Sequence, residues 1–375
     1  MLWVGLDLHK HYITVCAMDE MGVIVAEHRR LPADDTTLLG WLGALPGPVT
    51  VAMEATLYWA WLHDRLTAAG YAAVAAHPYQ VKLIWQARCK TDPIDARKLA
   101  DLGRSQLLPT IWVPDAETRA RRKLLRGRAY LVRMRPRVKN RIHGYLTAEN
   151  CRCLVTDLYG QAGRAWLQAV RLPEISRLQV DLLLEVLDTL DARIRRLDQR
   201  VRHAVTQDAT AERLQTVPGI GPFGALLLLA EIGRIDRFTS SHQLAAYAGL
   251  VPSTRSSGDK TTHGTVAGEG SPWLKWILIE IVQTLKLAPG TDRGAVSKAA
   301  ALEGQGQGDG GGSAQTVLLP VLDAERGLEL RGVAAATRAG GAPGASAGVR
   351  RVGRDAPGNP NGPPPSNDTP VLGCT

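Results

Sequence analysis

The sequence predicts an amino-terminal α/β domain built on a mixed sheet, with helical regions behind it and a tail rich in Gly and Pro. Three apolar runs at 2–8, 12–18 and 22–28 follow one another with very short connections. Such connections allow antiparallel neighbours but no crossover, so they predict a meander. Helical and strand patterns then alternate as far as residue 77, which predicts parallel pairing beside the meander.

Each later element of this domain has its own signal. Apolar spacing predicts helices at 36–45 and 58–69, and short apolar runs predict strands at 49–55 and 72–77. Another helix should begin near Pro93, because proline suits the first turn of a helix. The order β-β-β-α-β-α-β-α is that of the α/β ribonuclease-H-like (RuvC-like) fold, in which acids on the first and fourth strands and on a late helix meet at one edge.

The composition indicates a polyanionic partner. The 375 residues carry a formal net charge of +9 with an isoelectric point of about 9.5, which favours nucleic acid. A chain of this length can form roughly two or three domains with their own cores. No apolar run approaches the roughly 20 residues that span a membrane, so no membrane partner is expected.

The cysteines bear on the compartment. Five are scattered along the chain, and none has the spacing of a structural zinc site. Their odd number and the lack of a signal peptide indicate a reducing environment. We therefore expect a soluble cytoplasmic protein.

Two aspartates stand close together in residues 90–100. In a helix that begins near Pro93, Asp92 and Asp95 lie three positions apart and share one face. Close carboxylates repel each other unless a cation neutralises them, and a divalent ion such as Mg²⁺ is one stable solution. The simpler alternative is that both acids cap the helix and complement its dipole.

Two more acids occur singly inside apolar runs that are predicted to be buried strands, Asp7 in the first and Glu54 in the fourth. An acid in such a run is costly to bury unless it is paired, protonated or bound to a metal ion. The predicted metal ligands are therefore Asp7, Glu54, Asp92 and Asp95, with Mg²⁺ or Mn²⁺ as the cofactor.

The motifs of this domain resemble those of one family. In chain order they are Gly5-Leu6-Asp7-Leu8-His9-Lys10, Met53-Glu54-Ala55-Thr56, His77-Pro78-Tyr79-Gln80-Val81-Lys82 and Lys90-Thr91-Asp92-Pro93-Ile94-Asp95-Ala96. Over about residues 3–104 their order and spacing resemble the amino-terminal domain of the IS110/IS1111 transposases, which are named for an Asp-Glu-Asp-Asp tetrad. The resemblance implies that the four acids are catalytic, and that the protein acts at the nucleoid of a bacterium or archaeon.

A strongly basic segment follows between residues 119 and 141. Few acids lie near it in the sequence, so phosphate contact is favoured over a solvated helix with a network of ion pairs. Pro136 should kink or interrupt the helix. The residues predicted to contact nucleic acid here are Arg119, Arg121, Arg122, Lys123, Arg126, Arg128, Arg133 and Arg137.

Apolar residues then recur at alternating spacings of four and three, which is typical of the seam of a coiled coil. The seam could close on the basic helix of the same chain or on a second protomer. A recombinase must hold more than one DNA end, which favours a homo-oligomer, a dimer or a tetramer. The seam residues are Leu183, Leu187, Leu190, Ile194, Leu197 and Val201.

A glycine-rich turn precedes the helical run at 223–232. Pro218-Gly219-Ile220-Gly221-Pro222 resembles a helix-hairpin-helix turn, in which exposed amides near Gly219 and Gly221 would bind a DNA phosphate. The alternative is a tight turn between two helices.

The stretch that follows, residues 238–260, resembles the carboxy-terminal domain of the same family, which carries a nucleophilic serine before a glycine. Ser257 matches best because it precedes Gly258, and Ser256 is the second candidate. Without the resemblance, Ser-Ser-Gly would be an ordinary flexible loop. A serine hydroxyl needs a base or a metal ion to become a good nucleophile, so the loop predicted at 253–260 must reach the acids of the same or another protomer.

The composition changes abruptly after about residue 287. The tail is rich in Gly, Pro and Ala without sustained periodicity, which predicts disorder. The family continues here with further helices, so a frameshifted or decayed end with weak or absent activity is expected. The predicted domains are 1–107 (RuvC-like), 108–207 (basic helix and coiled coil), 208–288 (mainly α transposase domain) and 289–375 (disordered tail).

Three functions are compatible with these features. The resemblance implies a DNA transposase or recombinase of an insertion sequence, which forms a covalent phosphoserine with DNA and is guided by an RNA that the element encodes. A Holliday-junction-resolvase-like nuclease would use the acids and water alone. A nucleic-acid-binding protein that has lost catalysis is the third possibility, and the unusual tail favours it.

Overall fold

A computed structural model of the chain describes residues 1–85, 91–217, 219–257, 260–266 and 270–287. The chain divides into two compact units, Met1–Pro114 and Asp115–Thr375. The tail predicted at 289–375 and the residues Lys90, Pro218 and Gly258 of the predicted motifs lie outside the described residues.

The first unit is a five-stranded mixed sheet with flanking helices. Its strand order is β3-β2-β1-β4-β5, in which β1, β2 and β3 are antiparallel neighbours and β1, β4 and β5 are parallel. This arrangement fits the predicted ribonuclease-H-like α/β domain. The elements are β1 (Leu2–Leu8), β2 (Tyr12–Met18), β3 (Ile24–Pro32), α1 (Asp35–Gly43), β4 (Val49–Glu54), α2 (Trp59–Ala68), β5 (Ala72–Ala76), α3 (Pro78–Ile84) and α4 (Asp92–Arg104).

The third strand differs from its predicted bounds of 22–28, because it starts later and extends to Pro32. Its far end pairs with the start of β2, where Tyr12 lies opposite Pro32. The charges of Arg29 and Arg30 end the apolar run in the sequence. An edge strand buries only part of its surface, so its length follows the partner strand and not its own hydrophobicity.

Residues of the sheet alternate between two helical layers. Val4 and Leu6 of β1 lie in a core with Leu38 of α1 and Leu62 of α2. On the other face α4 packs directly on β1 and β2, and its Ala96 shares a small buried cluster with residues of β2. The sheet is therefore covered on both faces, which explains why its central strands are almost wholly apolar.

Small residues bring α4 against β1. A Cβ atom at Gly5 would lie only 1.9 Å from the carbonyl oxygen of Ala96, and one at Gly103 would lie 2.3 Å from the Trp3 ring. Residue numbers rise along α4 as they fall along β1 across this contact, so the two run antiparallel. The first turn of α4 consequently lies beside the carboxyl end of β1.

Replacing Gly5 by Ala should destabilise the protein by about 3 kcal/mol, because the new methyl group would overlap the α4 backbone and force it outward. Urea unfolding would measure the loss. The control is Gly40→Ala in α1, where an added Cβ meets nothing within 4 Å. That change should stabilise the helix by about 0.5 to 1 kcal/mol. Equal unfolding midpoints for the two variants would contradict the close packing.

The second unit contains two 33-residue helices. Arg128 of the first pairs with Asp198 of the second, and Arg135 with Asp191, so the helices run antiparallel. The elements are α5 (Ala116–Ala148), α6 (Gln161–Ala169), α7 (Glu174–Thr206), α8 (Ala209–Leu214), α9 (Pro222–Ile232), α10 (Ser241–Tyr247), β6 (Pro252–Ser257), β7 (Lys260–Val266) and α11 (Pro272–Leu287).

The predicted apolar seam of α7 lies against α5 of the same chain. Leu187 and Val201 are fully buried, and Leu190 and Ile194 are nearly so. The helix α5 continues through Pro136, so the proline does not interrupt it, and a kink at this residue stays a prediction. Packing along α7 on both sides of Pro136 compensates for the one backbone hydrogen bond that proline cannot donate.

Two buried clusters lie in this unit, a smaller one around Ile142 of α5, Leu167 of α6 and Val180 of α7, and a larger one that reaches α11. Leu125 of α5, Val201 of α7, Leu226 of α9 and Trp273 of α11 belong to the larger cluster. The basic-helix region and the predicted transposase region therefore share their core. Among the described residues, no helix is long and apolar enough to cross a membrane.

The serine stretch is a β-hairpin and not the loop predicted at 253–260. Strands β6 and β7, which we call the serine hairpin, form a two-stranded antiparallel sheet. Ser256 lies opposite Thr261, and Ser257, the last residue of β6, lies opposite Lys260. The β-branched threonines of β7 favour a strand, whereas the Ser-Ser-Gly motif considered alone indicates a loop.

Candidate functional site

Two of the predicted acids lie at the carboxyl ends of neighbouring parallel strands. The pairing of β1 with β4 places Leu6 beside Met53, so Asp7 and Glu54 follow at the same edge of the sheet. Both side chains are partly exposed, at 23% and 30%. They are therefore accessible to an ion or a substrate from solvent.

The first turn of α4 brings Asp92 to this edge. The cap residue Thr91 makes no side-chain hydrogen bond to the helix, and Asp92 Oδ2 accepts a hydrogen bond of 3.0 Å from the hydroxyl of Tyr12. Helix capping, the simpler alternative for Asp92, is therefore not its observed contact. Tyr12 fixes this carboxylate against the β1–β2 turn.

An imidazole lies between two of the carboxylates. His9 Nε2 is 3.0 Å from Asp7 Oδ2 and 3.4 Å from Asp92 Oδ2, and the ring stacks on Tyr12 at 4.5 Å. One ligand atom from each of Asp7, His9 and Asp92 can be chosen so that all lie within 4.8 Å of one another. We call these three residues the acid cluster.

A nearly buried lysine connects the other two acids. Lys98 is 8% exposed, and its Nζ lies 4.0 Å from Glu54 Oε1 and 3.9 Å from Asp95 Oδ1. An ammonium group at this depth needs negative partners, and it reduces the repulsion between the two carboxylates. The structure thus brings Asp7 and Asp92 together directly, and Glu54 and Asp95 through Lys98.

Burial raises the pKa of Asp7, and the neighbouring Asp92 and Asp95 raise it further, while His9 lowers it. An acid whose folded pKa lies above its unfolded value opposes folding once it ionises. Its contribution to stability is therefore lost as the pH rises from about 3.8 through the raised pKa. A bound cation would reverse this effect by favouring the ionised form.

These donors fit a divalent metal ion. Carboxylate oxygens suit Mg²⁺ and Mn²⁺, and the imidazole of His9 is a further donor that transition metals accept. Ligand atoms of Asp7, His9 and Asp92 lie within 4.8 Å of one another, close enough to bind a single ion together. Asp7 and Asp92 would hold the ion.

Sequence reasoning did not assign roles to His9, Tyr12 and Lys98. A signal for His9 was its position two residues after Asp7, directly after the end of β1 and so near the same edge of the sheet. No local pattern connects Tyr12 with Asp92, which lie 80 residues apart. Their contact depends on the packing of α4.

Most of the predicted phosphate-binding residues of α5 have partners inside the chain. Arg121 pairs with Asp208, Arg128 with Asp198, and both Arg122 and Arg126 approach Glu231. The sequence near α5 has few acids, but α7, α8 and α9 supply them. These four arginines hold the unit together, and any contact with nucleic acid by them stays a prediction.

Other basic residues of α5 face solvent. Lys123, Arg137 and Arg141 are exposed, and the ring of Tyr130 between them is 54% exposed. Their spacings of seven, seven and four residues place them on one side of the helix. Arg119 and Arg133 are partly buried and have contacts of their own.

A second basic row occurs on α7, beside the apolar seam, and the sequence had not predicted it as a binding surface. Arg193, Arg196, Arg200 and His203 are all exposed, at spacings of three, four and three. The spacing of three and four residues that identifies the apolar seam also identifies this basic row, on another side of the helix.

The glycine turn and the serines complete the predicted sites. Gly219 has a φ of +86°, Gly221 is the cap residue of α9, and both are exposed. An anion-binding role for these glycines stays a prediction. Ser256 and Ser257 lie in the second unit, and the acid cluster lies in the first.

A mixed five-stranded sheet with carboxylates gathered at the ends of its parallel strands defines a ribonuclease-H-like domain with a candidate metal centre. Residues 4–150 match the family model DEDD_Tnp_IS110, described as a transposase, and residues 211–293 match the transposase IS116/IS110/IS902 family. The chain belongs to the IS110/IS1111 family of transposases.

Individual relatives agree with this assignment. The chain is 31% identical over 286 residues to a probable family 20 transposase of Pseudomonas aeruginosa, an alignment that covers 74% of this chain and 81% of the relative. It is 26% identical over 292 residues to the transposase for insertion sequence element IS1111A of Coxiella burnetii, with 75% and 77% covered. The transposase for element IS1328 of Yersinia enterocolitica is 25% identical over 285 residues, with 74% and 81% covered.

Proposed function

We propose that the chain is a DNA transposase that cleaves and rejoins DNA at the ends of an insertion sequence, with a metal-dependent acidic site and a serine nucleophile. The observation that carries the proposal is the acid cluster, in which Asp7 and Asp92 meet at the edge of the sheet. Glu54 and Asp95 would complete an acidic tetrad with these two aspartates. Their carboxylates lie near each other, because each is within 4.0 Å of the same ammonium group, that of Lys98.

The proposed cofactor is Mg²⁺ or Mn²⁺, held by Asp7 and Asp92 with Glu54 and Asp95 nearby. When bound, such an ion polarises phosphoryl oxygens and stabilises the negative charge that develops on them. Tyr12 orients Asp92 through its hydroxyl, and the His9 ring contacts the carboxylates of both Asp7 and Asp92. These contacts keep the acids in place before any ligand arrives, which reduces the cost of ordering them.

The proposed nucleophile is Ser257, with Ser256 as the second candidate. Its Oγ would form a bond to the phosphorus of a DNA phosphodiester while the bond from phosphorus to the leaving sugar oxygen breaks. The serine proton passes to a base and the departing oxygen takes up a proton, so the product is a phosphoserine ester and a free sugar hydroxyl. Attack by another sugar hydroxyl on that ester would rejoin the strands and release the serine.

The proposed DNA surface is the exposed side of α5. Lys123, Arg137 and Arg141 offer cations to phosphates, and Tyr130 offers a ring on which a base or sugar can pack. The exposed row on α7 adds further positive charge. The net charge of +9 agrees with a polyanionic partner.

Replacing Lys123 and Arg137 together by Gln should weaken DNA binding and reduce the slope of log K against log salt by about 2, because each phosphate contact contributes about 0.9. Fluorescence anisotropy at several salt concentrations would measure this slope. The matched control is Arg128→Gln, which removes a side chain that donates to Asp198 and lies 4.7 Å above the Phe223 ring. The control should lower the unfolding temperature and leave the slope unchanged. An unchanged slope in the double variant would exclude this surface.

We also propose two partners on the basis of the family to which the chain belongs. One is an RNA encoded by the element that guides the choice of DNA. The other is a second copy of the chain, since transposition requires two or more DNA ends to be held together. A cytoplasmic, nucleoid-associated location follows from the proposed DNA substrate.

The test of the proposed function is an excision assay with the full chain. DNA that carries both ends of the element would be incubated with the protein and Mg²⁺ or Mn²⁺, with and without RNA transcribed from the element. Excised and rejoined DNA is the expected product, in small amounts, because the sequence predicts a decayed tail and weak activity. Metal-dependent nicks without a protein–DNA adduct would favour the junction nuclease, and DNA binding without cleavage would favour a decayed binding protein.

A further inference from the structure

The second unit contains a buried carboxylate that the proposed chemistry does not use. Glu231, the second to last residue of α9, is 1% exposed and lies among the leucines of the largest core. Removing a charge from water to this extent is costly unless hydrogen bonds and opposite charges replace the water. The groups that contact the Glu231 carboxylate therefore indicate its role.

Each carboxylate oxygen of Glu231 has a partner from a different element. Arg126 of α5 donates to Oε1 at 2.9 Å, and Ser271, which precedes α11, donates its hydroxyl to Oε2 at 3.0 Å. Arg122 of α5 lies 3.9 Å from Oε2 and also donates to the backbone oxygen of Glu231 at 3.1 Å. One side chain thus links α5, α9 and the start of α11.

Both ends of the serine hairpin converge on this link. Before the hairpin, the Tyr247 hydroxyl donates to the backbone oxygen of Glu231 at 3.3 Å. After it, the Ser271 amide donates to the backbone oxygen of Tyr247 at 2.9 Å. Gly270 has a φ of +116°, and a Cβ there would lie 2.7 Å from the same Tyr247 oxygen. The chain entering the hairpin and the chain leaving it are therefore in direct contact.

We propose that Glu231 is a positioning residue for the serine hairpin, whose carboxylate acts through Ser271 while its backbone oxygen accepts from Tyr247. A two-stranded hairpin alone is at best marginally stable, so the placement of its strands depends on how its ends are held. Glu231 holds these ends from a rigid, buried helix and connects them to α5, which carries the proposed DNA surface. The inference rests on the proposed role of Ser257 in the hairpin.

The test compares two serines that make the same kind of bond. Ser271→Ala removes the hydroxyl that donates to Glu231. Its control, Ser176→Ala, removes a hydroxyl that donates to Glu149 at 2.6 Å, away from the hairpin in the same unit. Hydrogen exchange of the full chain would then be followed at the backbone amides of residues 252–257 and 260–266. Ser271→Ala should speed exchange there about tenfold, and Ser176→Ala should not.

The second measurement is the rate of adduct formation at saturating DNA. Ser271→Ala and Glu231→Gln should slow this rate about tenfold or more with an unchanged Kd for DNA, because the nucleophile is displaced while the binding surface remains. Ser271→Thr keeps a hydroxyl that can both donate to Glu231 and accept from the Leu274 amide, as Ser271 does. It should restore both the exchange pattern and the rate.

The outcomes separate the two proposals. Unchanged exchange in the hairpin of Ser271→Ala, or the same increase in Ser176→Ala, would overturn the role of Glu231. An increase spread evenly over α5 and the hairpin would also overturn it, because it would show general loss of stability. If the parent chain forms no adduct or Ser257→Ala forms one normally, the serine chemistry is wrong, and the exchange data still decide whether Glu231 holds the hairpin.

Discussion

Replacement of Asp92 by Asn is expected to reduce metal-dependent DNA cleavage about a thousandfold or more. A metal centre lowers the barrier by several kcal/mol, and each 1.4 kcal/mol or so corresponds to a factor of ten. The amide that replaces the carboxylate is neutral and a weak metal ligand, while it can still accept the hydrogen bond from Tyr12. The variant should therefore fold normally, and cleavage of element-end DNA in Mn²⁺ would measure the loss.

The matched control for this variant is Asp101→Asn on the same helix. Asp101 pairs with Arg104 and does not belong to the acid cluster, so its replacement should leave cleavage within about a factor of two. A thermal shift supplies a readout without DNA, because Mn²⁺ should raise the unfolding temperature of the parent and of Asp101→Asn. A full Mn²⁺-dependent shift in Asp92→Asn would remove Asp92 from the metal site.

Replacement of Ser257 by Ala is expected to abolish the covalent protein–DNA adduct, since no oxygen remains to form the ester bond to phosphorus. Ser256→Ala is the neighbouring control and should retain the adduct. The two residues are adjacent in β6, where Ser257 lies opposite Lys260 and Ser256 opposite Thr261, so the comparison resolves the position of the nucleophile to one residue. Denaturation of the reaction followed by protease digestion and mass spectrometry would locate the linked residue.

The results of the serine pair also rank the alternative functions. An adduct that persists in Ser257→Ala but disappears in Ser256→Ala would move the nucleophile by one residue. Cleavage that survives in both variants without any adduct would indicate attack by water at the acidic site. Loss of cleavage in each of the single variants, Ser257→Ala and Asp92→Asn, would support a reaction that requires both side chains.

The sequence by itself determined most of the first unit. Strands β1, β2, β4 and β5 and helices α1 and α2 lie within a few residues of their predicted bounds, because each has a clear local period. It also predicted that Asp7 and Glu54 would share an edge of the sheet. Each acid lies near the end of its strand, and the two strands are parallel in this fold. The spacing of Asp92 and Asp95 was enough to place both in the first turn of α4.

Only the tertiary structure decided which charges meet. Arg121 and Arg128 of the basic helix pair with acids 87 and 70 residues away, and Arg126 with Glu231 at 105. Such pairs depend on the antiparallel packing of α5 with α7 and on the burial of α9. A local pattern reports the charge of a helix but not its partners. For the same reason the sequence could not distinguish the arginines that pair with acids of the second unit from the basic residues that are exposed on α5.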